Sequence, residues 1–281
     1  MHHQEATMIP FPTLDGFGPN RETLHLYAQA INVVARAHAE PRPNWWHTSL
    51  KVTSDGLVSD PLPLPRSGTA VFLLDLRQHR LSLMTHAGGV SHFPTAEGWS
   101  GTQMGDALIA AVAELGLESD YERERFTSDT PGVYDPDAVD RFFTALTSAN
   151  RLFKDHMSSL SGDKSPVQLW PHGFDLSAEW YGTRQIAQEE DGETSYAPAQ
   201  LNLGFYPGAD DSTSYFYSNP WPFEAEKLMG QPLVDGALWH TEGWQGTQFP
   251  YEHLVGRPDA ADRVANFARV VFGVAASTLI E

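Results

Sequence analysis

Residues 167–182 read "VQLWPHGFDLSAEWYG", and the fold turns on how this stretch is read. From Phe174 to Trp180, apolar and polar side chains alternate. Phe174, Leu176, Ala178 and Trp180 fall on one face, and Asp175, Ser177 and Glu179 on the other. A period of two predicts a β-strand with one face in a core. Pro171-His172-Gly173 predicts a disturbance just before it. A second stretch, "NWWHTSLKVT" at residues 44–53, has the same rhythm. Trp46, Thr48, Leu50 and Val52 would face inward, and His47, Ser49 and Lys51 outward. Laid side by side, "WHTSLKV" and "FDLSAEW" match position by position. His47 stands against Asp175, Ser49 against Ser177 and Lys51 against Glu179, with opposite charges.

The flanking chain repeats the parallel. Residues 22–38 predict a helix whose stripe is Leu24, Tyr27, Ala28, Ile31, Val34 and Ala35, with Asn20 as its cap. "TAVFLLDL" and "RLSLMTH" predict a hairpin, and "VSHFP" one more short strand. Residues 102–115 predict a helix ended by Gly116. Asp135 and Pro136 open another, with Val139, Phe142, Phe143, Leu146 and Phe153 as its stripe. "IAQEEDGETSYA" reads as an exposed loop. "AQLNLGFYPG" and "SYFYSNPW" read as a hairpin, and residues 258–277 as a last helix. Each half thus runs helix, Trp-rich strand, hairpin, Phe-Pro pair, helix, and Phe93-Pro94 and Phe249-Pro250 each precede a helix. This weak internal repeat predicts an α+β protein of two tandem helix–sheet–helix halves, with mostly antiparallel sheets and pseudo-two-fold symmetry. The halves are residues 20–117 and 135–281, joined by an acidic linker at 118–134, and together they form one compact unit.

Composition narrows the function. The chain has 281 residues, with 41% hydrophobic and 19% charged residues, which suits a globular protein. Thirty-six acidic residues against 18 basic give a net charge of −18. Such a surface repels phosphate backbones and anionic membranes, so neither nucleic acid nor membrane is an expected partner. There is no cysteine, which removes disulfide, thiolate and cysteine-nucleophile chemistry and suggests a cytoplasmic setting. "MHHQEATMIPFP" has neither the basic start nor the apolar centre of a signal peptide. His2 and His3 within it are set aside as an appended tag. The P-loop, dinucleotide fingerprint and GxSxG elbow are absent, so no cofactor is expected from motifs.

Several of these stretches resemble the bacterial domain-of-unknown-function 5996 family. They are "TLHLYAQ", "WWHTSLKVTSDGL", "YDPDAV" and "SPVQLWPHGFDLSAEWYGTR", followed by "GFYPG", "YFYSNPWPF" and "LWHTEGW". The likeness spans roughly residues 23–254, and the block at 165–184 is its most distinctive piece. It implies one compact module and supplies no reaction. Relatives of this block carry Trp-Gly-Ser where this chain has Pro171-His172-Gly173, which ranks His172 behind Asp175 as a functional group.

If pseudo-symmetry brings the two polar rows together, His47 meets Asp175 and Lys51 meets Glu179. A carboxylate beside His47 would orient it for proton transfer, with Lys51 and Glu179 as polar partners. The first expectation is therefore an acid–base enzyme acting on a small molecule. Ser49, Ser177, His172, Tyr206, Tyr217, Trp221, Trp239 and His240 would bind the substrate in an aromatic cleft between the halves. The plain alternative is that each row faces water. A non-catalytic small-molecule binding or interaction protein using the aromatic loops is a second expectation. A metal-dependent enzyme with His172, Asp175 and His47 as ligands is a third. Oligomeric state has no signature in the sequence.

Overall fold

Helix α1, Gly18–His38, buries the predicted stripe of Leu24, Tyr27, Ala28, Ile31, Val34 and Ala35. These features come from a computed structural model, which describes residues 11–281 apart from 191 and 211. His2 and His3 lie outside the described residues. The helix starts four residues earlier than periodicity predicts, with Pro19 in its first turn, and Asn20 does not cap it. Instead Asn20 accepts from the Asp135 backbone N–H at 2.5 Å, which ties α1 to the residue that opens the helix at 136.

Six strands form the first sheet. They are β1 Lys51–Val52, β2 Gly56–Val58, β3 Leu62–Pro63, β4 Thr69–Asp75, β5 Arg80–Thr85 and β6 Val90–Pro94. The order is β1-β2-β4-β5-β6, with β3 also on β4, and each pair is antiparallel. Alternating residues of β4 (Ala70, Phe72 and Leu74) are buried. Helix α2, Gly101–Glu114, follows, opened by a Ser100–Gln103 capping box that satisfies two end N–H groups. Gly116, at φ 85°, turns the chain away. The acidic segment 118–134 is not a free tether. Phe126 is wholly buried against α2, where Gly105 leaves room for its ring.

Asp135 caps α3, Pro136–Ser159, by accepting from the Asp137 N–H at 3.0 Å. The second sheet contains β7 Gln168–Trp170, β8 Asp175–Glu190, β9 Glu193–Tyr206 and β10 Tyr215–Ser218. It also contains β11 Pro220–Trp221, β12 Leu238–His240 and β13 Gly246–Pro250. A short α4, Ala225–Leu228, and α5, Ala260–Ala275, complete this half. The sheet order is β12-β13-β10-β9-β8-β7, with β11 on β9. Its inner face buries Leu176, Ala178, Trp180, Leu203, Phe205, Phe216 and Phe249 beneath α3 and α5. "IAQEEDGETSYA" is not a loop. It belongs to the far arm of the β8–β9 hairpin, paired from Gln185↔Pro198 to Glu190↔Glu193. The Asp-Gly dipeptide at 191–192 was the available signal for a two-residue turn.

The α+β class therefore holds, with two mostly antiparallel sheets. The halves share element order, and both Phe-Pro pairs end a strand that leads to a helix. The sheets nevertheless differ in strand number and order, and two-fold symmetry is not established. One contact decides how the halves meet. Leu50 and Leu169 exchange backbone hydrogen bonds of 2.9 and 2.8 Å as an antiparallel bridge. The chain entering β1 thus lies along the β7 edge of the second sheet, so the halves join edge to edge. Among the described residues, no helix is long and apolar enough to cross a membrane.

Candidate functional site

Of the predicted strand at 44–53, only Lys51–Val52 forms one. Pro43–Thr48 coil into a 3-10 turn in which Asn44 and Trp45 take left-handed φ values of 52° and 59°. Thr48 Oγ1 closes the turn on the Trp45 carbonyl at 2.9 Å. Helical geometry removes the period-two alternation, and His47 points inward, only 4% exposed. Its Nδ1 accepts from the Arg42 N–H at 3.1 Å. Burial, the largest influence, lowers its pKa; nearby Asp60 opposes this, and Arg36 adds to it. Lys51 pairs with Asp60, which also receives Arg42 Nη1 at 3.1 Å. Among the described residues, neither the expected His47–Asp175 contact nor the Lys51–Glu179 contact forms. Only the middle of the row approaches its counterpart. Ser49 Oγ lies 2.7 Å from Gln168 Oε1, and Gln168 is the register partner of Ser177.

The second stretch does form the strand, and its entry is strained. Phe174, wholly buried, adopts φ 53°, a conformation that costs a bulky residue roughly 1–3 kcal/mol. Its surroundings hold it there. Its N–H donates to the Trp170 carbonyl at 2.8 Å, and its ring stacks on Phe142 with centroids 5.7 Å apart. Arg21 of α1 donates to the Gly173 carbonyl at 2.7 Å and lies over the Tyr206 ring at 5.6 Å. His25, one turn along, touches the same Pro171-His172 backbone, and burial lowers its pKa. The turn is therefore clamped by α1, and β8 leaves it with Asp175, Ser177, Glu179 and Tyr181 on the outer face.

Neighbouring strands complete that face. Ser177 and Tyr217 both stand opposite Gly204 in register. The absence of a Cβ at Gly204 lets the Tyr217 ring lie over it, and the Tyr217 hydroxyl donates to Asp175 Oδ2. Gly173 likewise leaves room for the Asp175 carboxyl. Trp170 Nε1 donates to Ser177 Oγ at 3.1 Å, and Ser177 donates onward to Glu179 Oε1 at 3.2 Å. The Gln168 side chain is 1% exposed and its Nε2 has no partner. Asp175, Glu179 and Tyr217 each remain partly accessible to solvent.

Desolvation raises the pKa of both carboxyl groups. At Asp175 the Tyr217 hydroxyl, His172 and Arg21 oppose the rise without cancelling it. At Glu179 the Ser165 and Ser177 hydroxyls oppose it, while the charge of Asp175 adds to it. Tyr217 is raised far above the ordinary phenol value by burial and by Asp175, so it stays a donor. Tyr181 is pushed up to about 12, first by burial and then by Glu179.

Of the other expected residues, Tyr206 and His240 belong to this face. Tyr206 lies 5.2 Å from Tyr215. Trp244 packs on Tyr215 and Tyr217, and His240 stacks on Trp244 at 4.3 Å. His172 is exposed, beside Trp170 and within electrostatic reach of Asp175. Trp221 lines a separate cleft further along β8. Trp239 leaves the group. It pairs with Thr247, on the opposite face from Tyr217, packs on Phe223 and donates to the Gln231 carbonyl at 3.1 Å. No group of three or more His, Asp or Glu side chains is placed to hold a metal among the described residues. His47 is too far committed to Arg42 to complete a set with His172 and Asp175.

Arg21, His25, Trp170 and Tyr215 were not anticipated. Tyr215 was legible, since "SYFYS" puts it on the same face as Tyr217. Arg21 lies 152 positions from the carbonyl it holds, and nothing in the sequence pairs them.

Residues 11–279 match the family of unknown function DUF5996. The chain belongs to that family. The match covers both sheets and every residue of the outer face described here. No curated protein and no solved structure matches the chain.

Proposed function

We propose that this DUF5996 protein is an enzyme that acts on a small organic molecule by acid–base chemistry at the outer face of β8. The observation that carries this reading is the Asp175–Tyr217–Glu179 arrangement. Two desolvated carboxyl groups share one strand face, both raised by burial and floored by aromatic rings. Titratable groups perturbed by burial on one face suit acid and base roles. Asp175, which accepts from the Tyr217 hydroxyl, would take up a proton. Glu179 would deliver one. Four residues of strand separate their Cα atoms by roughly 13 Å, so they address two ends of a bound molecule rather than sharing one proton. His47 has no part in this reading, because its Nδ1 is held by the Arg42 N–H inside the first half, away from Asp175.

The experiment is a metabolite-library incubation with product detection by mass spectrometry. Wild-type protein is expected to convert at least one compound, with Asp175→Asn slowed at least 10²-fold and His47→Gln within a few-fold per folded molecule. Equal turnover by wild type and Asp175→Asn would overturn the proposal. A non-catalytic binding role is the second reading. It is favoured by one observation: both carboxyl groups already accept hydrogen bonds from Tyr217 and Ser177. Compounds that bind unchanged and whose affinity depends on Tyr217 would support it.

A further inference from the structure

Beyond Glu179 the outer face runs into a cleft with a cavity volume of about 1130 Å³. Tyr181 joins the two regions. It lines the cleft, and the charge of Glu179 acts on its hydroxyl. The walls come from both halves. Asn44 and Trp46 arrive from the strained turn at Pro43–Thr48, while Gln185, Gln200 and Trp221 come from β8, β9 and β11. Tyr181 and Trp221 both stand against Gln200 in register. The cleft thus carries carboxamides and aromatic rings in nearly equal numbers.

This chemistry is selective. A carboxamide offers a donor and an acceptor side by side, which matches a pair of neighbouring hydroxyls. An indole or phenol ring offers an apolar plane with a polar tip, suited to the C–H face of a saturated ring. Charge is nearly balanced in the cleft, since Asp163 and Lys164 are its only full charges among the described lining residues. Lys164 is tied to the Leu160 carbonyl at 2.6 Å. With a chain charge of −18, an anionic ligand would be repelled on approach. Hydrogen-bonding capacity is also left open. Among the described residues no hydrogen bond engages the Gln200 side chain, while Asn44 Nδ2 donates to the Tyr181 hydroxyl at 3.0 Å and leaves its own carbonyl oxygen free to accept.

We infer that the cleft binds a neutral, extended polyhydroxylated molecule of the short-oligosaccharide kind, laid over Tyr181 and Trp221 with one end at Glu179. The inference rests on the reading that the Asp175–Glu179 row is the reacting end, and it names the substrate class for that row. The cavity is larger than the roughly 300–1,000 Å³ of a typical small-molecule site, which suits several sugar rings rather than one.

The test is isothermal titration of the full chain with maltotetraose, cellotetraose, xylotetraose and chitotetraose. At least one is expected to bind. Trp221→Ala and Gln200→Ala are each expected to weaken it at least 10-fold, with melting temperatures confirming the fold. The inference is overturned if none of the four binds, or if binding survives both cleft substitutions. Product analysis of the same mixtures keeps the two claims apart. A tetrasaccharide that binds in the cleft and emerges unchanged supports the ligand class and contradicts the acid–base reading alone.

Discussion

"WHTSLKV" and "FDLSAEW" have the same alternation in sequence and opposite fates in the fold. The first begins in a 3-10 turn, with His47 buried and held by Arg42, and becomes strand only at Lys51–Val52. The second is a true strand that presents Asp175, Ser177 and Glu179 on one face. What separates them lies just upstream. "EPRPN" places two prolines before Trp45, and Pro43 opens a helical turn that Asn44 and Trp45 continue at positive φ. In the second stretch a single strained residue, Phe174, turns the chain and then releases it into regular β structure. A period-two pattern reports the faces of a segment only if that segment is extended, and local backbone chemistry settles that first. The difference also divides the electrostatics. Lys51 of the first segment is paired with Asp60 within its own half, whereas the second segment's carboxyls are desolvated.

The sharpest break of this comparison is the pair of substitutions Asp175→Asn and His47→Gln. On any compound the wild type converts, Asp175→Asn is expected to lose 10²–10⁴-fold in turnover, the range for removing a general base. His47→Gln should lower the melting temperature while turnover per folded molecule stays within a few-fold. Equal losses would place both segments in one site. Next in size is Gly204→Ala. The added methyl collides with the Tyr217 ring, so a stability cost of about 1–3 kcal/mol is expected in chemical denaturation, together with loss of the Tyr217–Asp175 bond.

A smaller effect is read from pH. Burial raises the Glu179 pKa, so the folded protein keeps this proton at pH values where the unfolded chain has lost it. Stability from this group is therefore undiminished below the unfolded value of about 4.3 and falls as pH climbs toward the folded pKa. Glu179→Gln removes that slope. Its melting temperature relative to wild type should be more favourable at pH 8 than at pH 5, and the opposite trend would count against a desolvated carboxyl. The smallest effect is expected in the first segment. Lys51→Met removes a half-exposed partner from Asp60, which still has Arg42. A change under about 1 kcal/mol in thermal unfolding is expected.

Much of the fold was legible because it rests on long, regular patterns. The stripes of α1, α3 and α5, the β4–β5 hairpin and the alternation of β8 all follow from apolar spacing. The candidate site was legible where it shares that strand: Asp175, Ser177 and Glu179, with Tyr217 and Tyr206 from neighbouring strands. What escaped depends on register and on contacts distant in sequence. Trp239 and Tyr217 face opposite ways because β12 pairs Trp239 with Thr247, which no local pattern specifies. Arg21 reaches the Gly173 carbonyl only once α1 packs on the turn. His47 falls outside the predicted pattern because the turn also needs a left-handed Trp45; Asn44 suits that conformation, but a tryptophan does not announce it.

The central claim is that the second segment, and not the first, carries a desolvated pair of carboxyl groups poised for proton transfer. Carbon-13 NMR titration of the side-chain carboxyls, assigned with Asp175→Asn and Glu179→Gln, tests it without any substrate. Both groups are predicted to titrate above the ordinary range of about 3.9 for Asp and 4.3 for Glu, and Glu179 is predicted to shift downward in Asp175→Asn. Ordinary values for both, with Glu179 indifferent to Asp175→Asn, would contradict the account.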